Sequence, residues 1–290
     1  MAKSVTHIKD IRHIESIVDF LQEKKGETLG LCGVEKLPGF YRKHLEQLEQ
    51  FVIFRDCELF FAGLRLYKDD EEIEKIITAA FYANNIMQEV SGNIKEGITT
   101  EREIANKAEY LIKTKGLDVG YDTIVSGGLN TRENTHRPTD DHIHEVVTVN
   151  IVPRYKGYSS FYTITKGLSN SESKKVCESS KKVISYMLDN LKVGDSTERI
   201  FELYQEKTRE FGLLSHLLPL YNKEEFVGCS TGLEPVEYPY LCKDSHLILK
   251  KGMVLSLKYY LAGFSWGDVK FEFNVLIDDK PILLNDIYMD

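Results

Sequence analysis

The chain is 290 residues long, room for one large domain with a small appendage, and its 42% hydrophobic and 28% charged residues are an ordinary globular balance. A net charge of −8 argues against a general nucleic-acid or anionic-membrane binder, because phosphate recognition needs a basic surface. It leaves a basic protein or peptide partner open. The start, Met1-Ala-Lys-Ser-Val-Thr-His7, carries no apolar signal core, and no run approaches the about 18 apolar residues of a membrane span. Cys32, Cys57, Cys177, Cys229 and Cys242 are odd in number and scattered, with no Cys-x-x-Cys spacing, which fits a reducing cytoplasm.

Residues 1–65 read as a small N-terminal appendage. The pattern predicts a helix over 8–21, a loop over 26–33, a helix over 41–50 and two short strands over 51–54 and 59–66. From there an amphipathic helix is expected over about 70–92, a Gly-containing turn, and a further helix over about 100–115. Thr100 and Glu103 have the spacing of a capping box. Strand-like segments follow at 121–126 and 145–165. Helices are expected again over about 171–190 and 197–211, then strand material around Phe226, at 253–260 and at 270–277.

This order is an internal repeat. Asn93-Ile-Lys-Glu-Gly-Ile-Thr-Thr-Glu-Arg102 returns 97 residues later as Asn190-Leu-Lys-Val-Gly-Asp-Ser-Thr-Glu-Arg199, identical at six of ten positions. A helix pair followed by strands, given twice, predicts an α+β domain with pseudo-twofold symmetry, and a pocket between the halves is the natural ligand site.

Four segments carry a family resemblance: Val147-Thr-Val-Asn-Ile-Val-Pro-Arg-Tyr-Lys-Gly-Tyr158, Gly228-Cys-Ser-Thr-Gly-Leu-Glu-Pro-Val-Glu-Tyr-Pro239, Lys251-Gly-Met-Val-Leu-Ser-Leu-Lys258 and Val269-Lys-Phe-Glu-Phe-Asn274. In order and spacing they resemble the motif blocks of the pita-bread family of methionine aminopeptidase, aminopeptidase P, prolidase and creatinase. The resemblance covers residues 66–290. It implies the pita-bread fold, a curved antiparallel sheet flanked by two helix pairs. It also places the family's metal ligands on Asn150, Phe161, Cys229, Lys258 and Glu272. Only Glu272 keeps the expected oxygen donor; a phenyl ring at 161 and an ammonium at 258 cannot bind a divalent cation. Cys229 reads as a small buried hydrophobe more readily than as a nucleophile or lone zinc ligand. Gly157-Tyr158 and Glu237 hold the frame, Val236 stands where the family has a second histidine, and Ile164 stands in place of an arginine. Ser126-Gly-Gly-Leu-Asn-Thr-Arg-Glu-Asn-Thr-His136 resembles the stretch that brings a substrate-contacting histidine, which places that role on His136.

The resemblance therefore implies a metal-free, catalytically silent relative with no cofactor. It would bind a peptide, protein tail or small ligand in the inherited cleft, with Tyr158, Val236 and Glu237 as cleft residues; non-catalytic members of the family, such as the N-terminal domain of the FACT large subunit, make a binding role compatible with the resemblance. Two alternatives stay open. One is a creatinase-like, metal-independent C–N hydrolase using His136 with Glu272, helped by Lys258 or Cys229. The other is a degraded mononuclear metallopeptidase built on Glu272, Cys229 and His136. Many relatives dimerise, which leaves a homodimer open. An ion pair between Lys258 and Glu272, shared with the side-chain oxygen of Asn150, is expected in place of the metals.

Overall fold

The computed structural model describes residues 21, 23–218, 226–242 and 245–288. The helix expected over 8–21 lies outside them, apart from Leu21. The chain divides into two compact units, Met1–Leu64 and Arg65–Asp290.

In the first unit β1 (Thr28–Leu31) and β2 (Ile53–Asp56) pair in parallel, Thr28 opposite Ile53, with α1 (Gly39–Leu48) between them in sequence. Leu48 and Val52 are buried. Two expectations fail here. The stretch 26–33 is not all loop, because it contains β1. The stretch 59–66 is not a strand but part of helix α2 (Glu58–Leu66). Asp56 opens that helix by accepting the Glu58 N–H at 2.8 Å. A short apolar run such as Leu59-Phe-Phe61 fits either period, so periodicity alone does not separate helix from strand.

The second unit begins with α3 (Asp70–Ser91) and α4 (Glu101–Thr114). Both start with reciprocal caps. Asp69 and Glu72 exchange backbone-to-carboxylate bonds of 3.0 and 2.8 Å; the Thr100 N–H donates to the Glu103 carboxylate at 2.9 Å, and the Glu103 N–H donates to the Thr100 hydroxyl oxygen at 3.2 Å. Strands β3 (Asp118–Val119), β4 (Ile124–Gly127), β5 (Val146–Ile151), β6 (Pro153–Tyr155), β7 (Tyr158–Ser159) and β8 (Tyr162–Gly167) follow. The pattern then returns with α5 (Ser171–Asn190), α6 (Glu198–Glu210), β9 (Phe226–Ser230), β10 (Glu237–Cys242), β11 (Val254–Phe264), β12 (Gly267–Leu276) and β13 (Ile282–Leu283). An eight-stranded antiparallel sheet runs β10-β9-β11-β12-β8-β5-β4, with β13 beside β12, and β3-β6-β7 form a small sheet of their own.

The two copies of the repeat are tied down alike. Gly97, at φ +71°, donates its N–H to the Ile143 carbonyl at 2.9 Å, and Gly194, at φ +94°, donates to the Leu249 carbonyl at the same distance. Both turns need a positive φ that glycine adopts without strain. Glu101 in the first copy reaches His136, and its counterpart Glu198 reaches His246.

Alternation along the strands sorts the large sheet into two chemically different faces. Val125, Val147, Val149, Ile151, Tyr162, Ile164, Leu255, Leu257, Leu261, Val269, Phe273 and Val275 join one core cluster with the helices, including Ile86 and Met87 of α3 and Ile184 and Met187 of α5. The residues between them are Ser126, Thr148, Asn150, Thr163, Thr165, Ser256, Glu272 and Asn274, all buried and all polar. Buried polar groups in such number need partners or a ligand.

Candidate functional site

The polar face is built in rows by strand register. Asn150 on β5 stands opposite Thr163 on β8, Thr163 opposite Glu272 on β12, and Glu272 opposite Lys258 on β11. Three of the positions singled out in the sequence are thus neighbours in one row. A cavity of about 180 Å³ opens over it, and Asn150, Phe161, Val236, Lys258 and Glu272 all line it, with Tyr121, Ser126, Thr148, Thr163, Tyr260 and Lys270.

At the centre, Lys258 Nζ lies 3.2 Å from Glu272 Oε1, with side chains 15% and 10% exposed. Ser256 donates its hydroxyl to the same carboxylate oxygen at 3.0 Å. Burial pushes the Glu272 carboxyl up from its ordinary value, while Lys258 and the Ser256 hydroxyl pull it partly back. The Lys258 ammonium also sits 5.4 Å from the centroid of the Phe161 ring, within cation–π range. Asn150 departs from the expectation. It donates Nδ2 to Thr163 Oγ1 at 2.6 Å, and its Oδ1 has no hydrogen-bond partner among the described residues. Thr163, one strand over, takes the amide, so Asn150 does not share the Lys258–Glu272 pair as expected.

Four other residues singled out in the sequence do not line the cavity. Cys229, opposite Ser256, is fully buried, and burial pushes its thiol up to about 12, so it packs as a small hydrophobe. Tyr158, expected in the cleft, belongs instead to a small cluster with Ile76, Val254 and Leu276, and donates its hydroxyl to Glu72 at 2.9 Å. Glu237, also expected in the cleft, is bound by Arg65, by Lys68 Nζ at 3.3 Å and by the Glu234 N–H at 3.0 Å. The side chains of Glu237 and Lys68 are 4% and 2% exposed, so this is an internal ion pair that fastens β10 to the segment before α3. His136 gives Nε2 to Glu101 Oε2 at 2.7 Å and is buried.

Glu101 is a residue that the sequence reading missed. Burial alone would raise its carboxyl. Asn130 at 3.0 Å, His136, the Gly127 N–H at 2.7 Å and the Thr139 N–H at 3.0 Å outweigh that and hold it below its ordinary value. The one available signal was its place in the repeated Thr-Glu-Arg, the same in both copies. Lys270, Thr148 and Thr163 were missed as well. Their signal was strict alternation of polar and apolar residues in strands buried on both faces, as in Val269-Lys-Phe-Glu-Phe-Asn-Val275.

A family description, metallopeptidase family M24, matches residues 74–279. The chain belongs to that family. An Xaa-Pro dipeptidase of Pyrococcus furiosus is 26% identical over 262 residues, covering 89% of this chain and 73% of its own. An uncharacterised peptidase of Methanocaldococcus jannaschii is 31% identical over 264 residues, covering 86% of this chain and 69% of its own. Among solved structures, the prolidase from Pyrococcus furiosus aligns with a TM-score of 0.83 at 25% identity, over 95% of this chain and 80% of that one. The M24 chain described here has the pita-bread fold of these peptidases, with its large antiparallel sheet and twice-given helix pairs.

The fold family implies a pair of divalent metal ions, and the residues on the polar face do not fit them. Glu272 is the single carboxylate among the five positions, and its oxygen is already hydrogen-bonded to a lysine ammonium and a serine hydroxyl. Among the described residues no group of three or more His, Cys, Asp or Glu side chains is placed to hold a metal ion. Hard divalent cations require several anionic oxygen donors around one point, and an ammonium at that point repels them. Among the described residues no helix is long and apolar enough to cross a membrane.

Proposed function

We propose that this M24 member is a binding protein that has lost the family's hydrolysis, and that its ligand, a peptide, protein tail or small molecule, occupies the cavity on the polar face of the sheet. The observation that carries this reading is the ion pair of Lys258 with Glu272. A lysine cannot activate water as a metal-bound hydroxide does, and here its ammonium is committed to the neighbouring carboxylate. The cavity retains the features of a ligand site, with aromatic walls and a few converging polar groups.

His136 supports the same reading. A creatinase-like hydrolase would need this imidazole free to move a proton at the substrate, whereas its Nε2 is bonded to Glu101 and it does not line the cavity. A lone buried thiol at Cys229 likewise gives a mononuclear metallopeptidase little to work with.

Turnover of a panel of Xaa-Pro dipeptides and N-terminal amides, with added manganese or cobalt and with chelator, tests the proposal. The expected result is no release of product under any condition. Metal-stimulated release of an N-terminal residue would contradict it in favour of a surviving metallopeptidase, and chelator-resistant hydrolysis in favour of a creatinase-like enzyme.

A further inference from the structure

Two groups on the cavity wall remain unmatched once the Lys258–Glu272 pair is set aside. The first is Lys270, two residues before Glu272 on β12 and opposite Tyr260 on β11. Its Nζ donates to the Glu133 backbone carbonyl at 3.3 Å and lies 4.9 Å from the centroid of the Tyr260 ring. No carboxylate lies within ion-pair distance of it among the described residues. The nearby buried carboxylate, Asp268, is already committed to the Tyr260 hydroxyl at 2.8 Å and the Gly263 N–H at 3.0 Å. A half-buried ammonium that lines the cavity and has no carboxylate at ion-pair distance among the described residues is placed to take an incoming anion.

The second is Asn150, a residue that lines the cavity and whose buried Oδ1 has no hydrogen-bond partner among the described residues. A buried acceptor left unpaired costs free energy comparable to a lost hydrogen bond. Its amide nitrogen is fixed by Thr163, so the oxygen is held as an acceptor. Apolar walls accompany these groups. The rings of Tyr121 and Phe161 lie 6.3 Å apart, centroid to centroid, and both line the cavity.

Taken with the binding role proposed above, on which this rests, we infer that the occupant is a small carboxylic acid with an apolar body and a hydroxyl or amino group. Its carboxylate binds the Lys270 ammonium, its donor hydrogen is accepted by Asn150 Oδ1, and its apolar part lies against Tyr121 and Phe161. Lys270 and Asn150 are then positions that determine ligand specificity, distinct from the Lys258–Glu272 pair.

Calorimetric titration of the full chain with L-phenylalanine, L-phenylalaninamide and 3-phenylpropionate tests this. Phenylalanine should bind best. The amide, which lacks the carboxylate, and 3-phenylpropionate, which lacks the amino donor, should each bind at least about tenfold more weakly. Lys270→Met should abolish the preference for phenylalanine over its amide, and Lys270→Arg should keep it. Asn150→Ala should bring phenylalanine down to the level of 3-phenylpropionate. Equal binding of phenylalanine and its amide by the unaltered chain would overturn the carboxylate assignment while leaving the cavity a binding site. Absence of binding by all three would overturn this inference, while the binding role stands or falls on the turnover panel.

Discussion

Lys258 and Glu272 face each other across β11 and β12, ammonium to carboxylate at 3.2 Å, in the row of the sheet that also carries Asn150. The pair accounts for how two charged groups are accommodated on this buried polar face. Each charge offsets the burial cost of the other, and Ser256 takes up a further share of the carboxylate. Removing one partner leaves the other uncompensated. Lys258→Met should therefore destabilise the chain by about 3–5 kcal/mol at pH 8, read by chemical denaturation. The cost should shrink at acid pH. With its carboxyl raised by burial, and without the ammonium that pulls it back, Glu272 keeps its proton in the folded variant to higher pH than in the unfolded chain, whose value is about 4.5, so stability of the variant falls as pH rises from there through the folded value. A Lys258→Met protein as stable as the parent at pH 8 would show that the ammonium does not hold the carboxylate.

Lys270 behaves in the opposite sense. Its folded value of about 8 lies below the ordinary 10.5. Between those limits the unfolded chain carries the proton and the folded chain does not, so stability rises with pH across that window. Below about 8 the buried ammonium is a net cost. Lys270→Met should stabilise the chain at pH 7 by about 1–3 kcal/mol, with the gain fading as pH approaches 10.5. Melting curves of both proteins at pH 7 and pH 10 check this. A residue kept at a cost to stability is the pattern expected of a ligand-binding position.

Glu237 should act on the fold and not on the ligand. Its carboxylate is enclosed by Lys68, Arg65 and the Glu234 N–H. Burial lowers the Lys68 ammonium even with Glu237 beside it, so loss of that partner is felt strongly. Glu237→Gln should destabilise by about 3–5 kcal/mol and leave phenylalanine affinity unchanged under conditions where the variant is folded. A change in affinity without a change in stability would return Glu237 to the cavity wall.

The Glu101–His136 bond should likewise be structural. His136→Gln removes one of the donors that hold Glu101 in its ionised form and should cost about 1–3 kcal/mol, measured by denaturant unfolding. A variant of unchanged stability with altered cavity binding would restore His136 to a functional role.

The repeat made the fold legible. The helices expected over 70–92, 100–115, 171–190 and 197–211 appear as Asp70–Ser91, Glu101–Thr114, Ser171–Asn190 and Glu198–Glu210, because capping residues and a 3.6-residue apolar period are local signals. The site was legible where the motif frame fixed the register: Asn150, Phe161, Val236, Lys258 and Glu272 all meet at one cavity. The frame said nothing about side-chain direction. Tyr158 and Glu237 hold their places in the motifs yet point into packing and ion pairs away from the cavity, and the partner of His136 comes from the first turn of α4, 35 residues earlier in the chain. Residues 59–66 misled because a short apolar run suits helix and strand alike.

The central claim is that a lysine ammonium stands in place of the family's metal ions. Elemental analysis of the purified chain after incubation with zinc, manganese and cobalt tests it most directly, with Lys258→Glu carried alongside to show that the assay detects a metal where carboxylates are restored. The account expects no stoichiometric metal in the unaltered chain. A full equivalent bound to it would contradict the account.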